Sequence, residues 1–343
     1  MQITHGTNKA ETIAGVWKDQ NQIWSLEGND TVDGGMLADE LHGGKGDDRL
    51  SGNGGNDTIL GDSGNDNLSG GAGNDSLYGG EGNDSISGGV GDDVAYGGKG
   101  NDLINGNSGN DILYGDAGND MLNGGAGNDT LDGGSGVDQL FGGSGDDVLV
   151  ARSGTDFYSG GAGFDTVDFR GIIGKVTVDL TKDAGTLMFG HTASASPLLS
   201  IEGLIGNDAG DTLTGSKAAN IIVGGAGNDW IRGGLGADTL TGGAGADTFD
   251  LLKKDLAGGF YDTITDFTAG TDKLDLTDFL KGNASYAAAV KIMDWPAPGG
   301  HAVMVDGLVN HVWTHVALLQ GIDITAVGAD HHAMVLADLG LPA

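Results

Sequence analysis

The residues in this sequence best equipped for chemistry are aspartates, and they recur at a fixed step. From Ser25 to Asp168 the chain divides without a gap into sixteen blocks of nine residues, and the sixth place of every block is Asp. In order these are Asp30, Asp39, Asp48, Asp57, Asp66, Asp75, Asp84, Asp93, Asp102, Asp111, Asp120, Asp129, Asp138, Asp147, Asp156 and Asp165. A second run, Gly206 to Asp250, carries Asp211, Asn220, Asp229, Asp238 and Asp247 at the same place. Asn would serve a turn as well as Asp, yet it never takes the sixth place in the first run. The place therefore demands charge, and charge in such a series demands a cation. Calcium fits, because it accepts roughly six to eight oxygens from carboxylates and backbone carbonyls. Magnesium requires stricter geometry and keeps its waters, and zinc lacks its preferred nitrogen and sulfur ligands here.

The elements that must position these acids follow from the other places. The eighth place is apolar throughout, as in Leu41, Leu50, Ile59, Leu68, Leu77, Ile86, Leu113 and Tyr158. Places seven to nine, x-apolar-x, predict a short strand with one buried side chain. The six residues before them are rich in Gly and predict a tight turn with left-handed backbone angles. Where the second Gly is replaced, the substitutes are Asn53, Asp62, Asn107 and Asp116, the types that best tolerate positive φ. Two strand-turn units make one coil of a flattened right-handed roll. Stacked coils then align the acids in two columns, one through Asp30, Asp48 and Asp66, the other through Asp39, Asp57 and Asp75. Eight acids per column leave at most fourteen gaps for cations, and the second run adds at most three. Carboxylates about 5 Å apart repel unless a cation lies between them.

The nonapeptide Gly-Gly-x-Gly-x-Asp-x-apolar-x, typified by Gly70 to Tyr78 and Gly124 to Asp132, resembles the calcium-binding repeat of the RTX proteins. The resemblance covers residues 25–168 and 206–250. It implies an all-β, right-handed parallel β-roll loaded with several Ca2+ ions and closed by a C-terminal β-rich cap. Residues 261–267 and 272–279 resemble the segment that closes the roll in serralysin-type C-terminal domains. The resemblance also implies that the chain's end, 283–343, carries an uncleaved signal read by type I secretion machinery. The expected organisation is an N-terminal cap at 1–24, a first roll at 25–168 and a strand insertion at 169–205. A second roll at 206–250, a roll cap at 251–282 and the secretion region at 283–343 complete it. Within that last region the pattern predicts a helix near 286–292, a break at 295–298 and strands near 302–305 and 309–319.

Composition narrows the functions. Sixteen Lys and Arg against 49 Asp and Glu give a net charge of −33, which argues against nucleic acid as a partner. There is no Cys, hence no disulfide framework and no thiolate. No apolar run is long enough for a membrane span, and the first residues read as neither a basic nor an apolar leader. No His-Glu-x-x-His string is present, so the protease domain that often accompanies such a C-terminal region is missing. Gly61-Asp62-Ser63-Gly64 lies on a repeat turn and is not read as catalytic. His301, His311, His315, His331 and His332 are read as solvated or sheet-lining. The chain is not expected to be an enzyme.

One further pattern concerns partners. The ninth place points outward, and one face reads Trp24, His42, Leu60, Tyr78, Tyr96, Tyr114, Asp132, Val150. The other reads Asp33, Ser51, Ser69, Ser87, Asn105, Asn123, Phe141, Ser159. An aromatic row on one side suits self-stacking or contact with another molecule. The expected function is that of a calcium-folded, self-assembling extracellular or cell-surface protein, such as a surface-layer or matrix component. The alternative is an adhesion module that binds a surface glycan.

Overall fold

A computed structural model describes residues 2–15, 20–152, 154–181, 185–189, 192–256, 260–280, 290–297, 300–309 and 312–320. The protein is all-β, and its described helical residues amount to a 3-10 turn at Lys253–Leu256 and a single α-turn at Thr277–Leu280. Two compact units divide it: Met1–Val167 with Ser196–Ile201, and Asp168–Ala195 with Glu202–Ala343.

In the first unit the strands of the repeat blocks pair in parallel with those eighteen residues away. Ser76–Glu81 lies between Thr58–Ser63 and Val94–Lys99, with Tyr78 opposite Leu60 and Tyr96. Ser85–Val90, on the other sheet, lies between Asn67–Ala72 and Leu103–Ser108. Successive strands thus alternate between two parallel sheets, as the eighteen-residue coil requires. Each strand sends its eighth-place side chain inward, and Leu41, Leu50, Ile59, Leu77 and Ile86 are fully buried. The stacking begins upstream of the first block, since Gln2–His5 pairs with Asn21–Trp24 and Thr12–Ala14 with Thr31–Gly35. At the other end Leu198 and Leu199 pair with Tyr158 and Ser159.

The strands are longer than the three residues expected. Most, like Ser76–Glu81, run for six, through places seven to nine and on through places one to three of the next block. The first Gly is extended and buried, so the ladder continues across it, and the turn shrinks to places four to six. Positive φ falls at places two and four. It is found at Asn53, Asp62, Asn107 and Asp116 (69–77°), as their residue types foretold. Three-residue strands do occur, at Thr130–Asp132 and Val148–Val150.

In the second unit Val176–Asp179 pairs with Gly185–Phe189 in antiparallel and with Thr212–Thr214 in parallel. One stack runs Gly203–Ile205, Ile221–Ala226, Thr239–Ala244, Asp262–Ile264. The other runs Thr212–Thr214, Trp230–Arg232, Thr248–Asp250, Lys273–Asp275. Asp262–Ile264 then pairs with Val312–Gln320, which opens an antiparallel sheet with Gly300–Val309 and Val290–Ala297.

The strand expected near 302–305 is present and longer, at Gly300–Val309, and the one expected near 309–319 is present as Val312–Gln320, with Val309 belonging to the strand before it. The helix expected near 286–292 is corrected where it can be seen: residues 290–292 are strand, and 286–289 lie outside the described residues. The break expected at 295–298 is also corrected, because the strand continues through Pro296 to Ala297. Among the described residues this strand pairs on one side only, and an edge strand is where a proline is tolerated. The segment 321–343, with His331 and His332, lies outside the described residues, as does His311.

Candidate metal centre

The turns place every sixth-place acid where stacking predicts. Asp120 illustrates the unit. Its Oδ1 accepts the backbone N–H of Asp102 at 2.8 Å, and its own N–H donates to Asp138 Oδ1 at 2.9 Å. The same link joins Asp30, Asp48, Asp66, Asp84, Asp102, Asp120, Asp138 and Asp156 in one column. It joins Asp39, Asp57, Asp75, Asp93, Asp111, Asp129, Asp147 and Asp165 in the other. In the second unit it joins Asp211 to Asp229 to Asp247, and Asn220 to Asp238. All twenty aspartates are at most 4% exposed.

The second oxygen is the informative one. In Asp48, Asp57, Asp66, Asp75, Asp84, Asp93, Asp111, Asp120, Asp129 and Asp147, Oδ2 is buried and meets no donor. The same holds for Asp229, Asp238 and Asp247. Buried polar atoms are nearly always hydrogen-bonded, so a whole column of exceptions has a common cause. Each orphaned oxygen faces the first Gly of its own block. A Cβ on Gly115 would lie 2.5 Å from Asp120 Oδ2 and 2.6 Å from the carbonyl oxygen of Gly133, one coil on. A Cβ on Gly43 would likewise meet Asp48 Oδ2 at 2.5 Å and the Gly61 carbonyl oxygen at 2.8 Å. Carboxylate and carbonyl oxygens of neighbouring coils therefore converge on a cradle that only the absence of a side chain keeps open.

Electrostatics point the same way. Burial, reinforced by the charges of Asp39 and Asp75, pushes the Asp57 carboxyl up to about 7 against the pull of the Asp39 N–H. Asp66, Asp93, Asp120, Asp147 and Asp229 are likewise pushed up to about 7 by burial first and by neighbouring aspartates next. Asp48, Asp84, Asp111 and Asp138 rise to about 6. Acids so strained by burial and mutual repulsion are suited to a hard dication, which supplies the missing positive charge. Among the described residues no three His, Cys, Asp or Glu side chains converge as a metal cluster. Here the acids come one per turn, hence one per coil in each column, with backbone oxygens between them. That donor set is all oxygen and fits calcium.

Asp138, Asp156 and Asp211 depart from the pattern, the last two through hydrogen bonds of their own. Asp156 Oδ2 accepts the phenolic hydrogen of Tyr158 at 2.9 Å. Asp211 takes N–H groups on both oxygens, from Val176 at 2.8 Å and from Asn207 at 2.9 Å. Asn220 spends its side chain on the Ser216 N–H and the Glu202 carbonyl.

The structure also adds members that the nine-residue frame misses. Asp238 donates to Asp262 Oδ1 at 3.2 Å, and Asp247 to Asp272 Oδ1 at 3.0 Å, at separations of 24 and 25 residues. The clue was local: Asp262-Thr263-Ile264 and Asp272-Lys273-Leu274 repeat the Asp-x-apolar end of a block. Glu11 and Asn21 begin the columns, their N–H groups donating to Asp30 and Asp39. A second ladder runs through the fifth place in the opposite sense. Asn83 N–H donates to Asn65 Oδ1 at 2.8 Å, and Asn101 N–H to Asn83 Oδ1 at 2.6 Å.

Buried carboxylate columns on the glycine turns of a parallel roll define the class of calcium-binding β-rolls. The family model of the RTX calcium-binding nonapeptide repeat, in its four-copy form, matches residues 19–39, 37–68, 60–95, 96–131, 132–167, 205–240 and 214–249. These matches span more than half of the chain, and the protein belongs to that family. No curated protein matches it.

Proposed function

We propose that the protein is a secreted, calcium-folded scaffold that assembles with copies of itself into an extracellular layer or matrix. In this reading the sixth-place aspartates and the carbonyls of the first-place glycines hold Ca2+ between coils, and the ion supplies folding free energy. Extracellular calcium modules bind at about 10⁻⁴–10⁻³ M, so the chain would stay unfolded for export through a type I channel and fold outside. No residue is assigned a catalytic role.

The observation that carries assembly is the aromatic ladder. Tyr78, Tyr96 and Tyr114 stack with ring centroids 5.1 and 4.7 Å apart and planes within 8°. His5, Trp24 and His42 stack on the same face at 5.0 and 5.2 Å. Ring faces inside such a column cover one another, which leaves edges and hydroxyls outward. Sugar stacking needs a free ring face, so this arrangement favours a flat, edge-on contact with a second roll over a glycan. Aromatic anchors dominate such interfaces.

Sedimentation at fixed millimolar calcium tests this. The parent should associate, and the variant with Tyr78, Tyr96 and Tyr114 all changed to Ser should fold but remain monomeric. A monomeric parent, or a variant that assembles like the parent, removes the proposal.

A further inference from the structure

The second unit contains a basic cavity in a chain of −33. It has a volume of about 340 Å³, the size of a small-ligand site. Lys217, Arg232 and Lys254 line it against a single acid, Asp255, so three of the chain's sixteen cationic side chains converge on one hollow.

The local sequence explains the opening. The strands Thr212–Thr214 and Trp230–Arg232 stop at the ninth place of their blocks, whereas most strands continue for three more residues. Beyond them the coils stay linked by the Gly215 N–H to the Arg232 carbonyl at 2.8 Å and the Leu235 N–H to the Ser216 carbonyl at 3.0 Å, and Ser216, Lys217, Gly234 and Leu235 form one wall. The 3-10 turn Lys253–Leu256 supplies the other wall, bringing Lys254 and Asp255.

Arg232 is the fixed point of the site. Its side chain is 14% exposed, and its Nε and Nη2 grip Asp255 at 3.0–3.3 Å. Three of its five N–H groups, on Nη1 and Nη2, remain for another acceptor. The terminal edge of a guanidinium held this way presents two parallel donors, the fork that matches a carboxylate. Neither Lys217 nor Lys254 makes a direct ion-pair contact among the described residues, although the Lys254 charge acts on Asp255. Beside the cations, the Thr181 hydroxyl donates to Asp179, which leaves its lone pairs for a ligand hydroxyl. Leu235 offers a small apolar wall. Asp250, the next ninth place along this face, adds a negative charge near Arg232, and Asp278 adds one near Asp255; among the side chains that line the cavity itself three are cationic and one is anionic.

We infer that this cavity binds a polyhydroxylated carboxylate, an acidic sugar unit, with its carboxylate on the outer edge of Arg232 and between Lys217 and Lys254. Cations select the acid, hydroxyl acceptors suit the ring hydroxyls, and Leu235 suits the C–H face of the ring. The inference is independent of self-assembly, because the cavity and the tyrosine ladder belong to different units.

Ligand-observed NMR on the full chain, at fixed millimolar calcium, provides the test with sodium glucuronate, glucose and sodium sulfate as probes. Glucuronate should bind, glucose should not, and sulfate should bind at least tenfold more weakly than glucuronate. The double variant Lys217→Ser/Lys254→Ser changes only exposed side chains, so its calcium-induced circular dichroism should match the parent, while glucuronate affinity falls tenfold or more. The triple Tyr→Ser variant should bind glucuronate like the parent. No glucuronate binding, equal binding by the Lys double variant, or sulfate binding as tightly as glucuronate would each overturn the assignment.

Discussion

At the residue scale, the centre is built by a pair: an acid and the glycine that makes room for its second oxygen. Gly115 has ordinary φ, so its identity is fixed by space and not by backbone conformation. Gly115→Ala should therefore damage calcium-driven folding as much as Asp120→Ala, although one removes a ligand and the other merely fills its cradle. For Asp120→Ala the loss should be about 1–3 kcal/mol in saturating calcium, the range for a group stripped of its partner. In EDTA the same change should cost less, since relief of a buried charge offsets the lost acceptor of the Asp102 N–H. Asp208→Ala, an exposed acid in the second unit, serves as the control with the same change of charge. Equal calcium midpoints for Asp120→Ala and Asp208→Ala would count against the columns. Protons compete at these sites with a definite sign. The buried aspartates have folded-state values raised from about 4 towards 6 or 7, so without calcium the roll is least opposed below about 4 and loses that relief as pH rises towards 7. Calcium must displace those protons. Its midpoint for folding should accordingly rise as pH falls from 8 to 5.5, measured by circular dichroism, and a flat profile would contradict the shifts.

At the element scale, the repeat made the coil legible but not the strand. Period and alternation sufficed to place the eighth-place core, the two columns and the positive-φ positions. They could not show that the first Gly stays extended, because a glycine pair reads as turn in any sequence. Pro296 misled for a related reason: a proline signals a break unless the strand is an edge, and edges are set by tertiary pairing. Asp262 and Asp272 escaped because insertions moved them out of the nine-residue step while leaving their Asp-x-apolar ends intact. Tyr158 was legible only in part. Its ring fills an eighth place as expected, but its hydroxyl reaches Asp156 and satisfies the oxygen that other turns leave orphaned. Tyr158→Phe should thus cost about 1–3 kcal/mol when calcium is limiting, by exposing Asp156 Oδ2 to burial without a donor. Excess calcium should restore much of that loss, because the freed oxygen becomes a ligand. Equal destabilisation in limiting and excess calcium would mean that the phenol acts only through packing.

At the scale of the whole molecule, the two units should depend on calcium to different degrees. In the first, each block contributes one inward side chain, such as Leu68, Leu77 or Ala95, to a core flanked by two acid columns. That is little apolar burial to set against the ordering of a glycine-rich backbone. The second unit has a fuller core: Phe169, Val176, Val178, Phe249, Phe267, Leu274 and Leu276 join its repeat residues, and Met304, Val305, Val316 and Leu319 add a buried patch in the antiparallel sheet. It also has fewer acid links, and Asp211 is already satisfied by backbone donors. Stacked coils unfold by local contributions and nearest-neighbour coupling, so removing calcium should cost the first unit more. Limited proteolysis in EDTA, read by mass spectrometry, should degrade residues 25–167 first and leave a transient fragment that includes Trp230 and Phe249. In millimolar calcium both regions should resist, because the cations then neutralise the columns and extend cooperative order along the first roll. A surviving fragment drawn from 25–167, or equal resistance with and without calcium, would mean that the small core suffices and that the acid columns do not govern folding.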